Sequence, residues 1–351
     1  MPYKILSDLG EKKLIQRILK KTKNMQYSSR FLNDKSLESF SDDAALIDFG
    51  ENYLVATADM LFESKHFPKE MNYYQIGKKI VTVNVSDLAA MGAKPIGIII
   101  SMGLPRDMKV QDFDSLIDGI LISCFKYKTP LIGGDTNESD EITLSGTCLG
   151  VVEKDKVMMK NGADIGDTVA VTGSIGLAAA GFNYLFKNSD KIKISEEFKQ
   201  KIIKHALEPE VPFKKAMELS KSGNVNSATD ITDGLISEIG ELVSSSSKNI
   251  GITIYLDKIP IHSEVFDLAH ILNEDPLEMA LCYGEDFELL FTVKKGKFED
   301  LSKNISLHEI GEVNSSGEIK IVYKDGKTNI ITPRGYEHLG DCHGNRSNVI
   351  R

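Results

Sequence analysis

The chain has 351 residues, a length typical of about two domains that can each bury a core. Its 42 Lys and Arg against 51 Asp and Glu leave a formal net charge of −9, which argues against a protein that binds the phosphate backbone of nucleic acid. A hydrophobic fraction of 41% is typical of globular proteins, and no apolar run reaches the roughly 20 residues that span a bilayer.

The first half of the chain alternates predicted helices and strands. Hydrophobic periodicity predicts helices over residues 14–23, 73–91 and 110–126, and strands over 52–58, 96–102 and 141–152. Residues 24–40 are polar, and we expect them to be mobile. Because strands alternate with helices, this half is predicted to form an α/β layer in which helices cover a sheet.

A charged turn at residues 153–156 is the predicted boundary between two domains, 1–153 and 154–351. Beyond it, the pattern predicts a turn into a helix over 173–181, a helix over 234–244, and strands over 168–172, 252–256, 287–293 and 319–323. We expect the polar tail, 341–351, to be frayed.

The four cysteines predict reduced thiols in a cytoplasmic protein, because they are widely separated and form no C-x-x-C pair. This spacing does not favour a zinc site. Residues 1–13 are polar and contain no apolar signal-peptide core, so we expect neither secretion nor membrane insertion. The cysteines are Cys124, Cys148, Cys282 and Cys342.

Aspartates recur at the ends of apolar strands or beside small residues. Carboxylates at strand ends can converge on one edge of a sheet, where they repel one another unless cations neutralise them. Hard oxygen ligands select Mg²⁺, Mn²⁺ or Ca²⁺, and Mg²⁺ recruits substrate phosphates. The pattern therefore predicts metal-assisted phosphoryl transfer. The aspartates are Asp42, Asp43, Asp59, Asp87, Asp135, Asp230 and Asp233.

Each aspartate also has a purely structural interpretation, because a lone Asp beside Gly is usually a turn former or a helix cap. Asp42 fits a turn cap, and Asp233 fits the N-cap of the helix that follows it. Asp59 is predicted to end its strand. Asp87 is harder to explain in this way, since a charge inside an apolar helix is costly unless it is paired or bound to metal.

Two glycine-containing segments are candidate phosphate cradles. Gly133-Gly134-Asp135-Thr136 matches neither the Walker nor the Rossmann pattern, yet two glycines allow the backbone to approach a phosphate closely. Gly173-Ser174-Ile175-Gly176 follows a predicted strand and fits a phosphate site at a helix N-terminus. The commoner explanation for such a turn is tight packing.

Taken together, these motifs resemble the thiamine-monophosphate kinase family of the aminoimidazole ribonucleotide synthetase superfamily. Each motif alone is weak, but their order along most of the chain is specific. The matching segments are Ser41-Asp42-Asp43-Ala44-Ala45, Asp59-Met60, His66-Phe67, residues 83–93, Gly133-Gly134-Asp135-Thr136, residues 230–235, residues 284–289 and Gly335-Tyr336.

The resemblance implies a two-domain aminoimidazole ribonucleotide synthetase-like fold, with an N-terminal α/β domain that dimerises with its twin and a C-terminal α+β domain. It implies ATP-dependent phosphorylation of thiamine monophosphate to thiamine diphosphate by direct transfer of the γ-phosphoryl group. No general base stands out, and transfer to an ionised phosphate does not require one.

The resemblance also implies a role for each matching position. Several Mg²⁺ ions would be held by Asp43, Thr57, Asp59, Asp87, Asp135, Asp230 and Asp233. ATP would be bound by Gly134, Asp135, Lys160 and Thr232. Thiamine monophosphate would meet His66, Glu285 and Tyr336, and its cationic thiazolium suits an acidic and an aromatic side chain.

Three positions depart from the family pattern. Ser41 replaces a glycine before the paired aspartates. Ala58 replaces a threonine before Asp59, so it supplies no hydroxyl. Lys160 replaces an arginine that contacts ATP, which retains the charge but loses the bidentate fork. Because no carboxylate is lost, an active enzyme is expected.

Two alternative functions stay open at this point. One is a different ATP-dependent reaction on the same fold, such as the cyclisation of formylglycinamidine ribonucleotide. The other is a non-catalytic binder of nucleotide or thiamine phosphate, in which the departures at Ala58 and Lys160 have abolished transfer. The identity of the ATP-dependent product distinguishes the three functions.

Overall fold

The computed structural model describes residues 6, 9–23, 33–187 and 192–336. In this part of the chain the strands form two sheets. The first sheet contains β1 (Ala45–Phe49), β2 (Asn52–Phe62), β3 (Lys94–Leu104), β4 (Leu131–Glu138) and β5 (Thr143–Glu153). The second contains β6 (Thr168–Val171), β7 (Val225–Asp230), β8 (Gly251–Tyr255), β9 (Leu289–Val293), β10 (His308–Asn314), β11 (Ile319–Val322) and β12 (Thr328–Ile330).

Both sheets are mixed. The first has the strand order β1-β2-β5-β3-β4, in which only the β3–β4 pair is parallel. The second has the order β12-β11-β8-β10-β6-β9-β7, in which only the β8–β11 pair is parallel. Both sheets are open, with β1 and β4 as the edges of one and β12 and β7 as the edges of the other.

The α-helices in the described residues cover these sheets and connect their strands. They are α1 (Glu11–Lys23), α2 (Asp34–Glu38), α3 (Glu63–His66), α4 (Tyr73–Ala90), α5 (Val110–Tyr127), α6 (Leu177–Phe186), α7 (Glu196–Leu207), α8 (Phe213–Ser222), α9 (Leu235–Ser245), α10 (Ser263–Leu272), α11 (Pro276–Cys282) and α12 (Phe298–Ser302). None of these described helices combines the length and apolarity needed to cross a membrane.

Helix α4 lies between the two sheets and is buried along most of its length. It starts at a capping box, in which Asn72 and Gln75 each accept the other's backbone N–H. It ends before Gly92, whose φ of 68° is left-handed. It packs on β2 and β5 on one side and on β7 and α8 on the other. The two halves of the chain therefore share one apolar core around this helix.

Most of the predicted elements are confirmed, with small shifts at their ends. The predicted buried helix over 73–91 is α4, and the amphipathic helix over 110–126 is α5. The helix predicted within 173–181 begins only at Leu177, and the strand predicted over 287–293 begins only at Leu289. Of residues 24–40, which were predicted to be mobile, 24–32 lie outside the described residues, whereas 34–41 form helix α2 and a 3₁₀ turn. Residues 341–351, predicted to be frayed, also lie outside the described residues.

The prediction of free thiols is confirmed for the three cysteines that the structure describes. Cys124 and Cys148 are buried free thiols, and Cys282 is a half-buried free thiol. Burial raises the pKa of Cys124 to about 11 and that of Cys148 to about 12, so both stay protonated at neutral pH. Cys342 lies outside the described residues.

Helices α4 and α5 touch backbone to backbone, and Gly77→Ala tests this contact. An added Cβ would lie 2.1 Å from the Leu116 carbonyl oxygen and 2.8 Å from the Ile120 nitrogen. Because backbone atoms cannot give way, we expect the free energy of unfolding to fall by about 3 kcal/mol or more in urea denaturation. Gly133→Ala is the matched control, since its nearest neighbour would be Ile99 Cγ1 at 4.0 Å. Equal stability of the two variants would contradict the close packing.

Candidate active site

An acidic groove of about 860 Å³ lies where helices α1 and α9 meet the carboxyl end of β7. Carboxylates from both halves of the chain line it, together with the ammonium of Lys160 and the ring of Tyr336. The lining carboxylates include Asp42, Asp43, Asp87, Asp230, Asp233 and Glu238.

Asp43 follows the 3₁₀ turn at Ser39–Ser41, and its side chain is only 6% exposed. Its Oδ1 pairs with Lys160 Nζ at 2.8 Å and accepts a hydrogen bond from the Thr229 hydroxyl at 3.1 Å. Its Oδ2 is buried and has no hydrogen-bond partner. Asp43 therefore keeps one unsatisfied oxygen buried beside the groove.

Asp42 acts as a turn cap, as the structural interpretation of the sequence suggested. Its Oδ1 accepts the backbone N–H of Asp43 at 2.9 Å, and its Oδ2 accepts the backbone N–H of Lys160 at 3.0 Å. This carboxylate fixes Asp43 and Lys160 side by side, although they are far apart in sequence.

Asp87 and Asp59 form a second part of the carboxylate cluster. Asp87 lies on α4 and accepts a hydrogen bond from the hydroxyl of Thr57, which also contacts the Asp43 carbonyl oxygen at 3.5 Å. The prediction that Asp59 ends its strand is wrong, because β2 continues to Phe62 through its pairing with β5. Asp59 Oδ2 is also buried without a hydrogen-bond partner.

Asp230 and Asp233 enter the groove from the loop between β7 and α9. Asp230, the last residue of β7, is 3% exposed and accepts a hydrogen bond from the Ser86 hydroxyl on α4. Asp233 precedes the helix cap, because the N-cap residue is Gly234. Its backbone N–H donates to Glu238 Oε1 at 3.2 Å, and its carbonyl oxygen accepts the Tyr336 N–H at 3.2 Å.

Burial and mutual repulsion raise the pKa values of these carboxylates. Burial, followed by the charge of Asp43, raises the pKa of Asp42 to about 7 and that of Asp230 to about 7. Burial raises the pKa of Asp59 to about 6. For Asp87, burial and the charges of Asp59, Asp230 and Asp43 raise the pKa well above its ordinary value. The groove therefore holds more negative charge than it can accommodate without a counter-ion.

Lys160 supplies part of that counter-charge. Burial alone would lower the pKa of its ammonium, but the neighbouring carboxylates, Asp43 foremost, outweigh burial and raise it well above the ordinary value. The lysine is thus protonated at all physiological pH values. Predicted from the sequence as an ATP contact, it lies in the groove as a partner of Asp43.

The donor set fits hard divalent cations, although the carboxylates are not preassembled around one point. Among the described residues, no three His, Cys, Asp or Glu side chains stand close enough together to hold one metal ion. The fit rests on the unsatisfied buried oxygens of Asp43 and Asp59 and on a shell made of carboxylate and hydroxyl oxygens.

Gly134 and Asp135 do not line this groove. Both are exposed on β4, the edge strand of the first sheet, so the glycine motif forms a strand. A Cβ on Gly134 would lie 2.0 Å from the Ile100 carbonyl oxygen, which explains the glycine by the close approach of β3. The Asp135 carboxylate accepts hydrogen bonds from the Thr136 N–H at 2.9 Å and the Asn137 amide at 2.7 Å.

Two of the three predicted substrate residues line different cavities, and the third, His66, lines neither. Tyr336 lines the acidic groove, whereas Glu285 lines a neighbouring cavity of about 270 Å³ together with Lys204 and His262. His66 ends α3, and its Nδ1 accepts the Phe62 N–H at 2.9 Å. The Glu285 N–H donates to the Thr232 carbonyl oxygen at 2.9 Å, so the two cavities adjoin at that loop.

The loop that carries Glu285 is held in a strained conformation. Gly284, Glu285 and Phe287 all have positive φ values, of 82°, 64° and 54°. Non-glycine residues in this region cost roughly 1 kcal/mol or more each. A Cβ on Gly284 would lie 2.1 Å from the Thr232 carbonyl oxygen, so only glycine permits the contact between the two loops.

The segment Gly173-Ser174-Ile175-Gly176 was a candidate phosphate cradle, but the carboxylate of Asp286 occupies this helix N-terminus. Both of its carboxylate oxygens accept the Gly176 N–H at 3.0 Å, at the start of α6. Burial raises its pKa to about 7, against the opposing effect of the Gly176 and Ala178 N–H groups. The anion at this helix N-terminus is therefore a side chain of the protein.

Two charged groups at the site were missed in the sequence. Glu238 is 4% exposed and accepts the N–H of Asp233, and burial followed by the charge of Asp233 raises its pKa well above the ordinary value. Its place five residues after Asp233 on a predicted helix was the available signal. Lys79 is 1% exposed and contacts Glu285, which no local pattern indicates.

Comparisons with known proteins cover most of the chain. Residues 41–152 match the family model for the N-terminal domain of AIR synthase related protein, and residues 164–324 match that for its C-terminal domain. The thiamine-monophosphate kinase of Pyrococcus horikoshii is 33% identical over 88% of this chain and 94% of its own length. That of Methanocaldococcus jannaschii is 35% identical over 88% of this chain and 95% of its own. The chain belongs to the thiamine-monophosphate kinase family.

A solved structure extends this family relationship to the fold. The structure of AaThiL complexed with AMPPCP and TMP matches this chain with a TM-score of 0.82 and 29% sequence identity. The match covers 96% of this chain and 100% of that chain. The predicted aminoimidazole ribonucleotide synthetase-like fold is therefore confirmed.

The repulsion among the groove carboxylates predicts that Asp87→Asn stabilises the metal-free protein. A carboxyl group whose pKa is raised by folding stabilises the folded state fully below about pH 4. This contribution is lost as the pH rises through 6 to 7. At pH 8 in EDTA, the variant should gain about 1 to 2 kcal/mol in the free energy of unfolding, because one repelling charge is gone. At pH 4 the gain should vanish.

Asp48→Asn is the control for this measurement. The hydrogen bond from Lys154 lowers the pKa of Asp48, so its removal should give no gain at pH 8. Urea denaturation at the two pH values compares the variants. A loss of stability for Asp87→Asn at pH 8 would contradict the repulsion.

Proposed function

We propose that this chain transfers the γ-phosphoryl group of ATP to the phosphate of thiamine monophosphate, giving thiamine diphosphate and ADP. The observation that carries the proposal is the groove of buried carboxylates, some of whose oxygens have no hydrogen-bond partner. These carboxylates belong to the aspartates whose order along the chain matches the family. The family relationship, and a solved relative complexed with AMPPCP and TMP, support the two substrates.

The groove side chains are proposed to hold several Mg²⁺ ions. When bound, Mg²⁺ neutralises the phosphates of the nucleotide and screens the transferring group. Thr57, Ser86 and Thr229 orient carboxylates by donating hydroxyl hydrogen bonds to them. The proposed ligands in or beside the groove are Asp43, Thr57, Asp59, Asp87, Asp230 and Asp233, and Asp135 on β4 is a further proposed ligand from outside it.

The nucleotide is proposed to enter the same groove. Lys160 and Thr232 line it, so both can face the triphosphate. Gly134 and Asp135 are proposed further contacts from the exposed strand β4. The Lys160 ammonium is shared between Asp43 and an arriving phosphate oxygen, because it is a compact charge on a flexible stem.

The thiamine part of the acceptor is proposed to meet His66, Glu285 and Tyr336. Glu285 supplies a negative charge and Tyr336 an aromatic ring, and both suit the cationic thiazolium. The His66 ring, which accepts the Phe62 N–H on Nδ1, carries its proton on Nε2 when neutral and can donate it to the phosphate. The acceptor phosphate is already ionised at neutral pH, so no side chain has to remove a proton from it.

We propose that the chain forms a homodimer through its N-terminal sheet. Met60 on β2 is 52% exposed, and Ile96 and Ile99 on β3 are 44% and 37% exposed. The edge strand β4 adds Leu131 and Ile132. A sheet that exposes apolar side chains on three of its strands favours a protein interface. The proposed location is the cytoplasm, whose reducing conditions agree with the three free thiols.

The kinase assay with Asp59→Asn tests the function. With ATP, Mg²⁺ and thiamine monophosphate, the wild-type protein should form thiamine diphosphate and ADP. The variant should lose at least about 100-fold in turnover, because it removes one anionic oxygen from the proposed cation site. Asp140→Asn, at an exposed position, is the control and should stay within about twofold.

Other products would favour the alternatives. ADP release with formylglycinamidine ribonucleotide alone would favour a cyclising reaction on the same fold. Tight ATP binding without turnover on either substrate would favour a non-catalytic binder.

The dimer prediction is tested by Ile99→Asp in sedimentation equilibrium. The wild-type protein should have the mass of two chains, and the variant that of one, because a charge buried at an apolar interface is costly. Ile330→Asp, at a 64% exposed position on the edge strand β12, should remain dimeric. A wild-type monomer at micromolar concentration would contradict the proposed interface.

A further inference from the structure

Lys79 is among the largest side chains that are fully buried in the described residues, although it carries a charge. Lysine is almost never buried to this degree unless it is paired, because removing an ammonium from water is costly. Its position on α4 directs it toward the C-terminal half of the chain, at the junction of the two sheets. Its contacts therefore require a specific explanation.

The ammonium of Lys79 joins three separate segments. Its Nζ lies 2.9 Å from Glu285 Oε2, forming an ion pair in which the lysine is 2% and the glutamate 14% exposed. It donates a hydrogen bond to the His66 carbonyl oxygen at 3.2 Å. It also lies 5.8 Å from the centre of the Phe182 ring on α6, which adds a cation–π contact.

Two of these partners are proposed thiamine contacts, and they come from opposite halves of the chain. We propose that Lys79 is a positioning residue for the acceptor site, which holds the Glu285 carboxylate and the His66 main chain in the arrangement that receives the cationic ring. This inference rests on the proposed function, and it assigns to Lys79 no direct contact with substrate.

The backbone of Glu285 makes this support necessary. Its φ of 64° is unfavourable for a non-glycine residue, and its carboxylate is largely buried. Without the ammonium, an uncompensated buried charge would drive the loop toward solvent and release the strained conformation. Lys79 therefore stabilises the one loop geometry in which Glu285 faces the acceptor site.

A competing effect acts in the opposite direction. Lys79 neutralises part of the Glu285 charge, so its removal would strengthen the attraction of that carboxylate for a cationic ring if the loop did not move. A buried carboxylate without a partner is much less stable than a partly screened one, so the loop that carries Glu285 should move. The loss of its position should then weaken substrate binding more than the stronger negative charge improves it.

The position of Lys79 along α4 separates its effect from the nucleotide site. Ser86, which donates to Asp230, lies seven residues further along, two helical turns or about 10 Å away. A change at Lys79 should therefore alter the use of thiamine monophosphate while leaving that of ATP unchanged.

The test compares KM for thiamine monophosphate and for ATP among five proteins. They are the wild type, Lys79→Met, Lys79→Arg, Glu285→Gln and the double variant Lys79→Met/Glu285→Gln. Lys78→Met is the matched control, because Lys78 also lies on α4 and also pairs with a glutamate of the C-terminal half, Glu208.

Lys79→Met should raise KM for thiamine monophosphate about tenfold or more, with KM for ATP within about twofold. Lys79→Arg, which retains the charge and the donors, should fall between the wild type and Lys79→Met. The double variant should lose no more than Glu285→Gln alone, because Lys79 acts through Glu285. Lys78→Met should leave both KM values unchanged.

An unchanged or lowered KM for thiamine monophosphate in Lys79→Met would overturn the inference, as would an equal rise for both substrates. If Lys79→Met does not fold, the comparison of the double variant with Glu285→Gln decides: equal KM values support the inference, and a further tenfold loss overturns it. A wild-type protein without thiamine-monophosphate kinase activity would instead overturn the proposed function, and this inference with it.

Discussion

The mutual repulsion of buried carboxylates is the constraint on which this structure depends. Asp43, Asp87 and Asp230 come from a turn, a helix and a strand end. Besides burial, the charges of Asp230 and Asp43 raise the pKa of Asp87, and the charge of Asp43 raises that of Asp230. Hydroxyl donors and Lys160 reduce the repulsion without removing it. The fold thus keeps an anionic groove that a divalent cation, and through it a polyphosphate, can stabilise.

Helix α4 connects this groove to the proposed acceptor site. Ser86 and Asp87 near its carboxyl end make hydrogen bonds within the carboxylate cluster, and Lys79 two turns earlier contacts Glu285. Because α4 packs between both sheets, its burial fixes the relative positions of the two sites. The loops before α9 and before β9 then adjoin through Gly284, so the groove and the loop that carries Glu285 are in direct contact.

Much of the fold and the main carboxylates could be predicted from the sequence, because they depend on local patterns. The apolar surroundings of Asp87 predicted a buried helix, and Asp42 was recognised as a possible turn cap. Interactions between distant residues could not be predicted in this way. The capping of α6 by Asp286 joins positions 110 residues apart, and strand β2 passes Asp59 only because β5 pairs with it to its end.

The central claim is that the groove carboxylates require a cation to bind nucleotide, and AMPPCP binding measured by calorimetry tests it most directly. Titrations near pH 6.5 in two buffers of different ionisation enthalpy, with Mg²⁺ and with EDTA, give affinity and proton exchange together. The account predicts binding only with Mg²⁺, accompanied by proton release, because a cation displaces protons from carboxylates of raised pKa. Equal affinity in EDTA, or binding with Mg²⁺ but without proton release, would contradict it.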